Sequence, residues 1–428
     1  MELKKYNGII SLSPIIVFIL FYLGSSLAVG DFYKIPISIS FIIASIWGVI
    51  VTRGINYNKR IEIFTDGASN HNIIYMIWIF ILSGAFATLA KSIGAVDATV
   101  NITLHHIPRE FIPAGIFIVA CFISLSIGSS VGTVVALTPF AVSLSESTGE
   151  SLPFLVAIVL GGAYFGDNLS FISDTTIVAT RSQGCKMSDK FKVNIWIALP
   201  AAILVTAIYL VIGNTAKYQI STQPDNIYLA LPYLLVIIGA LASIDVLIVL
   251  IIGIISSTII ATINGFEISN ICTFIGNGIV GMGELIIITL LAAGMLALVK
   301  YNGGITYLID KLTKLIRGKK TAYTSIGILA GLVNLCTANN TVAIITVGSL
   351  AKDISTKYGL DPRKVASVLD SCTCIVQSLI PYGAQALLAA SIAQISPIAP
   401  IKYLYYPFIL TAMVILSITL NYPKLTKK

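Results

Sequence analysis

Apolar stretches recur along the whole chain, separated by short polar loops and by no segment polar enough to be a soluble domain. Runs at 9–27, 36–51, 73–90, 112–127, 131–144, 153–180, 193–212, 227–241, 246–263, 285–299, 322–335, 341–351, 365–395 and 404–420 predict helices. A spanning helix needs roughly 20 apolar residues. Several of these runs are too short, or too broken by glycine and proline, to be plain spans. The pattern therefore predicts an all-α polytopic membrane protein with interrupted helices.

Composition agrees. Of 428 residues, 56% are hydrophobic and 11% charged, against about 25% charged in a soluble domain, so lipid must cover the surface. The net charge of +8 is spread over short loops rather than one stripe, which argues against a nucleic-acid partner. The six cysteines lie in or beside apolar runs without a CxxC; Cys372-Thr373-Cys374 is a weak metal signal, and all six read as structural. Lys4-Lys5 and the run after them resemble a secretory signal ending at Ser26-Leu27-Ala28. That run is longer than a signal's apolar core, so a retained first span is expected.

The second half repeats the first at a spacing near 209 residues. Gly84, Lys91 and Gly94 have counterparts in Gly294, Lys300 and Gly303; Gly149, Pro153 and Val156-Ala157 in Gly359, Pro362 and Val365-Ala366; Ser170 in Ser378. The repeats run over 1–213 and 226–421, within a single membrane-embedded unit. Loop charge then sets their orientation. Arg53, Lys59 and Arg60, and Arg181, Lys186, Lys190 and Lys192, mark two basic loops, whose counterparts at 264–270 and 394–402 hold one base between them. The bias reverses at 101–110 and 146–151, which hold Arg109 alone, against basic partners at 311–320 and 352–364. Under the positive-inside rule the halves face opposite ways, with both termini in the cytoplasm and the chain in the cell inner membrane. Inverted repeats of this kind build many secondary transporters, whose ligands bind near the midplane where helices unwind. Lipid and a small ion or molecule are the expected partners, with a homodimer as a further option.

Two pairs of breaks fall at corresponding places. Residues 128–133 and 336–341 are small polar clusters between apolar runs, where a hairpin tip falls. Oxygens of Ser129, Ser130, Thr133, Asn339, Asn340 and Thr341 suit a hard monovalent cation, although small residues also mark close helix packing. The second pair carries acids. Asp167 and Asp174, with Asn168, Ser170, Ser173, Thr175 and Thr176, sit inside an apolar span in which Gly161, Gly162 and Gly166 favour unwound or tightly packed backbone. Seven residues separate the two acids, which puts both on one face of an unbroken helix. Intramembrane acids usually line an ion or proton path, and two neighbours invite competition between protons and cations. A structural role as a helix cap or a partner of Arg181 is the alternative. The matching break offers Asp370, Gln377, Ser378 and Tyr382 around Pro381 and Gly383; Asp370 lies near a basic loop, and the others either touch substrate or satisfy broken backbone. Glu284 reads as a helix cap, Lys91 and Lys300 as snorkelling bases, and His71, His105 and His106 as solvated loop residues.

Gly162, Phe165, Gly166, Asp167, Ser170, Ser173, Asp174, Thr175 and Thr176 resemble the motif GxxFGDxxSPxSDTT of the NhaC-type Na+/H+ antiporter family, with Phe171 in place of the proline. The likeness covers most of the chain, though only 167–176 is specific. It implies a scaffold plus a mobile unit with paired re-entrant hairpins, similar to the wider ion-transporter superfamily that includes sodium-coupled dicarboxylate carriers. It also implies Na+ bound by Asp167 and Asp174, with nearby hydroxyls completing the oxygen shell. No cofactor is expected beyond the transported Na+ and H+. Sodium- or proton-coupled transport of an amino acid or small carboxylate is the alternative, since half-helix N-termini can hold a carboxylate. No HExxH, GxSxG or histidine-rich set stands in a span, so an enzyme is not expected.

Overall fold

The computed structural model describes residues 8–29, 36–106, 108–170, 173–215, 227–242, 244–314 and 316–423. The two ends of the chain, 1–7 and 424–428, for which a cytoplasmic location is expected, and Phe171 lie outside them.

All regular structure among the described residues is helical. The first half runs α1 (Gly8–Ser11), α2 (Ser13–Val29), α3 (Ile37–Val51), α4 (Tyr57–Ala68), α5 (His71–Ser92), α6 (Ala95–His106), α7 (Ile112–Ile127), α8 (Ser130–Thr148), α9 (Leu152–Leu169), α10 (Asp174–Gln183) and α11 (Met187–Thr215). The second runs α12 (Leu231–Leu241), α13 (Val246–Ile263), α14 (Ile268–Gly281), α15 (Gly283–Tyr301), α16 (Gly304–Thr313), α17 (Lys319–Thr337), α18 (Asn340–Tyr358), α19 (Pro362–Leu379), α20 (Ala384–Ala393) and α21 (Tyr405–Leu420).

Among the described residues, six stretches are long and apolar enough to cross a membrane: Ile73–Ser92, Leu152–Gln183, Met187–Gly213, Val246–Ile263, Ile268–Tyr301 and Pro362–Ala393. Two of these contain the expected breaks, α9 to α10 and α19 to α20. The hydrophobic pattern did not show α4, α6, α14 and α16. Their sequences mix charged or polar residues with apolar ones, as in Tyr57-Asn58-Lys59-Arg60 of α4. His105 and His106 belong to the end of α6 rather than to a loop. Glu284 lies exposed in the first turn of α15 but does not cap it; the cap residue is Met282, and Glu284 instead accepts from Ser38 Oγ at 3.2 Å.

Helices from the two halves cross intimately. α5 packs on α14, and α4 on α15. At the first crossing a Cβ on Gly84 would lie 2.2 Å from the Gly278 carbonyl oxygen, and one on Gly278 would lie 2.1 Å from that of Gly84. Only glycine lets these backbones touch. The outer helices turn large apolar side chains outward, including Ile42, Ile46 and Ile50 on α3 and Ile248, Ile255 and Ile259 on α13, a surface suited to lipid. By contrast, α9 is buried from Phe154 to Leu169. It packs against α7, α8, α11 and α19, so its last turn, carrying Asp167, lies deep in the protein.

Candidate functional site

Two hairpin tips frame the site, and they share one geometry. α7 ends at Gly128 (φ 70°) and α8 begins after Ser129 (φ −141°, ψ 117°). α17 ends at Ala338 (φ 48°) and α18 begins after Asn339 (φ −147°, ψ 113°). Ala338 holds a left-handed conformation that its counterpart glycine adopts without strain. Ser129 Oγ accepts from the Gly132 amide at 3.3 Å, and Asn339 Oδ1 from the Val342 amide at 3.0 Å. Both are ordinary N-caps. Thr133 Oγ1 donates to the Ser129 carbonyl and Thr341 N to Asn340 Oδ1, so most polar groups predicted at the tips are spent in shaping them. Asn340 Nδ2 also lies 3.8 Å from Cys374 Sγ.

Ser130 differs. Asp167, 4% exposed, accepts from the Ser130 hydroxyl through Oδ2 at 2.6 Å and from the Ser130 amide through Oδ1 at 3.2 Å. No base forms an ion pair with Asp167 among the described residues. Asp174 does not share a helix face with it. Ser170 (ψ 141°) and Ser173 (ψ 136°) carry the chain out of helical geometry, and Asp174 emerges exposed in the first turn of α10. Nor does Asp174 pair with Arg181 among the described residues. The hydroxyls of this segment stitch the break together. Thr175 Oγ1 donates to the Asp167 carbonyl at 3.4 Å and lies 2.9 Å from Ser173 Oγ, while Ser170 Oγ donates to the Leu125 carbonyl at 3.1 Å.

From Ser130 a chain of bonds crosses into the second half. Gln385 Nε2 donates to Ser130 Oγ at 2.9 Å, and Gln377 Nε2 donates to Gln385 Oε1 at 2.9 Å and to the Ala338 carbonyl at 3.1 Å. Asp167 is thus wired to the opposite hairpin tip. Sequence reasoning missed Gln385. Its signal was one amide in the run Ala384-Gln385-Ala386-Leu387, just past the Pro381–Gly383 break. Ser378 Oγ and Tyr382 OH donate to the carbonyls of Ile375 and Leu335 and satisfy broken backbone. Gln377 Oε1 and Asn168 Oδ1 are buried acceptors without a hydrogen-bond partner among the described residues. Alongside α20 runs a cavity of about 510 Å³ whose polar lining includes Glu284, Ser391, Gln394 and Ser396.

Asp370 has a different setting. Its Oδ2 lies 2.6 Å from Lys190 Nζ, with the two side chains 0% and 1% exposed. Loop charge places Lys190 in a cytoplasmic loop, but in the structure it lies inside α11, on one face with Asn194, Ala198 and Ala201, all buried. That i, i+4 spacing was the available signal. Lys190 also donates to the Asn168 carbonyl at 2.9 Å and to Thr176 Oγ1 at 2.5 Å, and Asn194 Nδ2 adds a bond to the same carbonyl at 2.7 Å. They satisfy a carbonyl that the end of α9 leaves free. Lys364, also counted as a loop base, is buried and donates to the Ser417 carbonyl near the end of α21 at 2.8 Å.

The sequence profile of the Na+/H+ antiporter family matches residues 3–214 and 222–423. The chain belongs to the Na+/H+ antiporter family. Among its relatives, the malate-2H(+)/Na(+)-lactate antiporter of Bacillus subtilis is 23% identical over 448 residues, covering 95% of this chain and 94% of that protein. The Na(+)/H(+) antiporter NhaC of Alkalihalophilus pseudofirmus is 24% identical over 422 residues, covering 89% of each. The crystal structure of the YdaH transporter of Alcanivorax borkumensis aligns over 96% of this chain and 99% of that one, at 12% identity and a TM-score of 0.45.

The NhaC-type resemblance is therefore real, and membership of this family of ion transporters makes the chain a multi-pass membrane protein. Within this member of the family the motif glycines serve packing. A Cβ on Gly166 would meet Ser124 Oγ at 2.0 Å and the Ser124 backbone at 2.5 Å. Such contact brings the last turn of α9 against α7 and Asp167 against the hairpin tip.

Proposed function

We propose that the chain exchanges Na+ for H+ across the cell inner membrane by alternating access, with Asp167 as the group for which the two cations compete. The observation that carries this reading is a buried carboxylate with two donors from Ser130 and no ion-pair partner among the described residues. Burying an uncompensated charge is costly, so such an acid holds a proton or a mobile cation whenever it is sealed from water. Exchange follows, because each cation must leave before the other binds. Gln377 Oε1 and Asn168 Oδ1 offer lone pairs to Na+, and the Ser173 and Thr175 hydroxyls lie at the same break. Asp174, exposed at the start of α10, is the acid an entering cation meets before Asp167.

We also propose that residues 1–213 and 226–421 are inverted repeats with both termini in the cytoplasm. α8 and α18 have 19 residues each, α9 and α19 have 18, and α10 and α20 have 10. Individual bonds recur as well. Ser124 Oγ donates to the Ala163 carbonyl as Asn334 Nδ2 does to that of Thr373, a spacing of 334 − 124 = 210 at the donor and 373 − 163 = 210 at the acceptor.

The test is transport in proteoliposomes containing a pH dye, with Na+ added to one side. Proton movement driven by Na+ alone, and lost in Asp167→Asn, is the expected result; unaltered exchange in that variant would overturn the assignment. A second reading is sodium- or proton-coupled transport of an amino acid or small carboxylate. The amide groups of Gln377 and Gln385 beside the α20 N-terminus favour it, as does the relative named for malate and lactate. It takes first place if Na+ moves protons only when a carboxylate is added.

A further inference from the structure

We infer that the Lys190 ammonium occupies a second cation site, as a cation tethered to the chain. It is held by three oxygens: a carboxylate (Asp370 Oδ2, 2.6 Å), a main-chain carbonyl at a helix break (Asn168 O, 2.9 Å) and a hydroxyl (Thr176 Oγ1, 2.5 Å). They come from three elements, α19, α9 and α10. Carboxylate, carbonyl and hydroxyl oxygens are the ligands a hard monovalent cation takes, gathered where a broken helix frees backbone groups. The ammonium has three donors, and each meets one of these oxygens.

A lysine near a membrane surface ordinarily extends its head to water. This one is 1% exposed and turned inward. Asp370 Oδ1 remains a buried acceptor with no hydrogen-bond partner among the described residues, a fourth oxygen that a mobile ion could use and the saturated ammonium does not. The site thus neutralises Asp370 permanently and ties α9, α10 and α19 together without taking up an ion from solution.

Removing the tether should let a free cation in. The inference does not depend on exchange at Asp167, and the test isolates it. The full-length chain is compared in detergent as Asp167→Asn, Asp167→Asn with Lys190→Met, and the same pair with Asp370→Asn added. Thermal unfolding is followed in NaCl and in choline chloride at equal ionic strength. A ligand that binds the folded state raises the midpoint with the logarithm of its concentration. The Lys190→Met variant should melt low in choline and gain about 5 °C or more in Na+ beyond the Asp167→Asn parent, a gain abolished by Asp370→Asn.

Equal midpoints in the two salts for the Lys190→Met variant would overturn the inference. So would failure of that variant to fold in either salt while the Asp370→Asn triple variant folds. A wild-type chain indifferent to Na+ would count against Na+ binding at Asp167 and leave the Lys190 comparison readable.

Discussion

The two broken helices hold their acids in opposite ways. Asp167 in α9 receives two bonds from Ser130 and no ion-pair partner among the described residues, whereas Asp370 in α19 is paired at 2.6 Å with Lys190. The scaffold around them is nearly the same, down to the left-handed residue and extended cap at each hairpin tip. The position matching Asp167 in the second half is Gln377 (377 − 167 = 210), a neutral amide in the last turn of its helix. The first helix thus ends in an acid without an ion-pair partner among the described residues, and the second in an amide, its own acid lying seven residues earlier (377 − 370 = 7) and paired with Lys190. The two halves share the geometry of the breaks and differ in how they hold their acids.

The largest effect should come from Asp167→Asn. Exchange should fall to the rate of protein-free liposomes while the thermal midpoint holds or rises. The amide can still accept from Ser130, and a neutral group costs less to bury than an unpaired charge. Retained exchange with a lowered midpoint would reverse the roles assigned to the two acids. Asp370→Asn should do the opposite kind of damage. It leaves the Lys190 ammonium buried without its carboxylate, a loss of about 3–5 kcal/mol when one partner of a buried pair is removed. Unfolding in detergent should show that loss, and Lys190→Met in the same chain should restore much of it.

This division between the acids was half legible in sequence. The breaks were readable because glycine, proline and hydroxyls interrupt otherwise apolar runs, and Asp167 was readable because an acid has few reasons to sit there. Lys190 and Lys364 were not, since a count of loop bases treats a lysine near a span end as solvated. Helix periodicity would have turned Lys190 inward with Asn194. Gln385 escaped because one amide in an alanine-rich helix carries no pattern; only the fold shows that it faces Ser130 across the two halves. The amphipathic α4 and the glycine crossing of α5 with α14 depend on contacts more than 190 residues apart in sequence (278 − 84 = 194), beyond the reach of any local pattern.

Gln385→Leu should have a smaller effect, because it cuts the link between the halves without touching either acid. Ser130 Oγ loses a donor and Gln377 Nε2 loses an acceptor. A buried polar group left unsatisfied costs about 1–3 kcal/mol. If that cost falls mainly on the Na+-bound state, half-saturating Na+ rises about tenfold for each 1.4 kcal/mol, read from the Na+ dependence of proton flux. An unchanged half-saturation together with a lowered midpoint would make Gln385 a packing residue and leave Asp167 uncoupled from the second half.

The smallest effect lies at the start of the same two helices and is set by pH. Asp361 caps α19 by accepting from the Arg363 amide at 2.9 Å, and its carboxylate also binds the Arg363 guanidinium at 2.6 Å; Ser151, the cap residue of α9, makes no such bond. Partial burial alone would raise the Asp361 carboxyl, but the bonds from Arg363 outweigh it and hold it below the usual carboxylate range. A depressed folded-state value stabilises the fold above the unfolded value of about 3.9, and that contribution disappears as pH falls through the lower folded value. Asp361→Ala should therefore cost about 1 kcal/mol at pH 7, seen as a lower midpoint, and progressively less as the pH drops below about 4. Ser151→Ala should change little at either pH. An equal loss in both variants would mean that the two helices start alike, and that the asymmetry between the halves is confined to the neighbourhood of the acids.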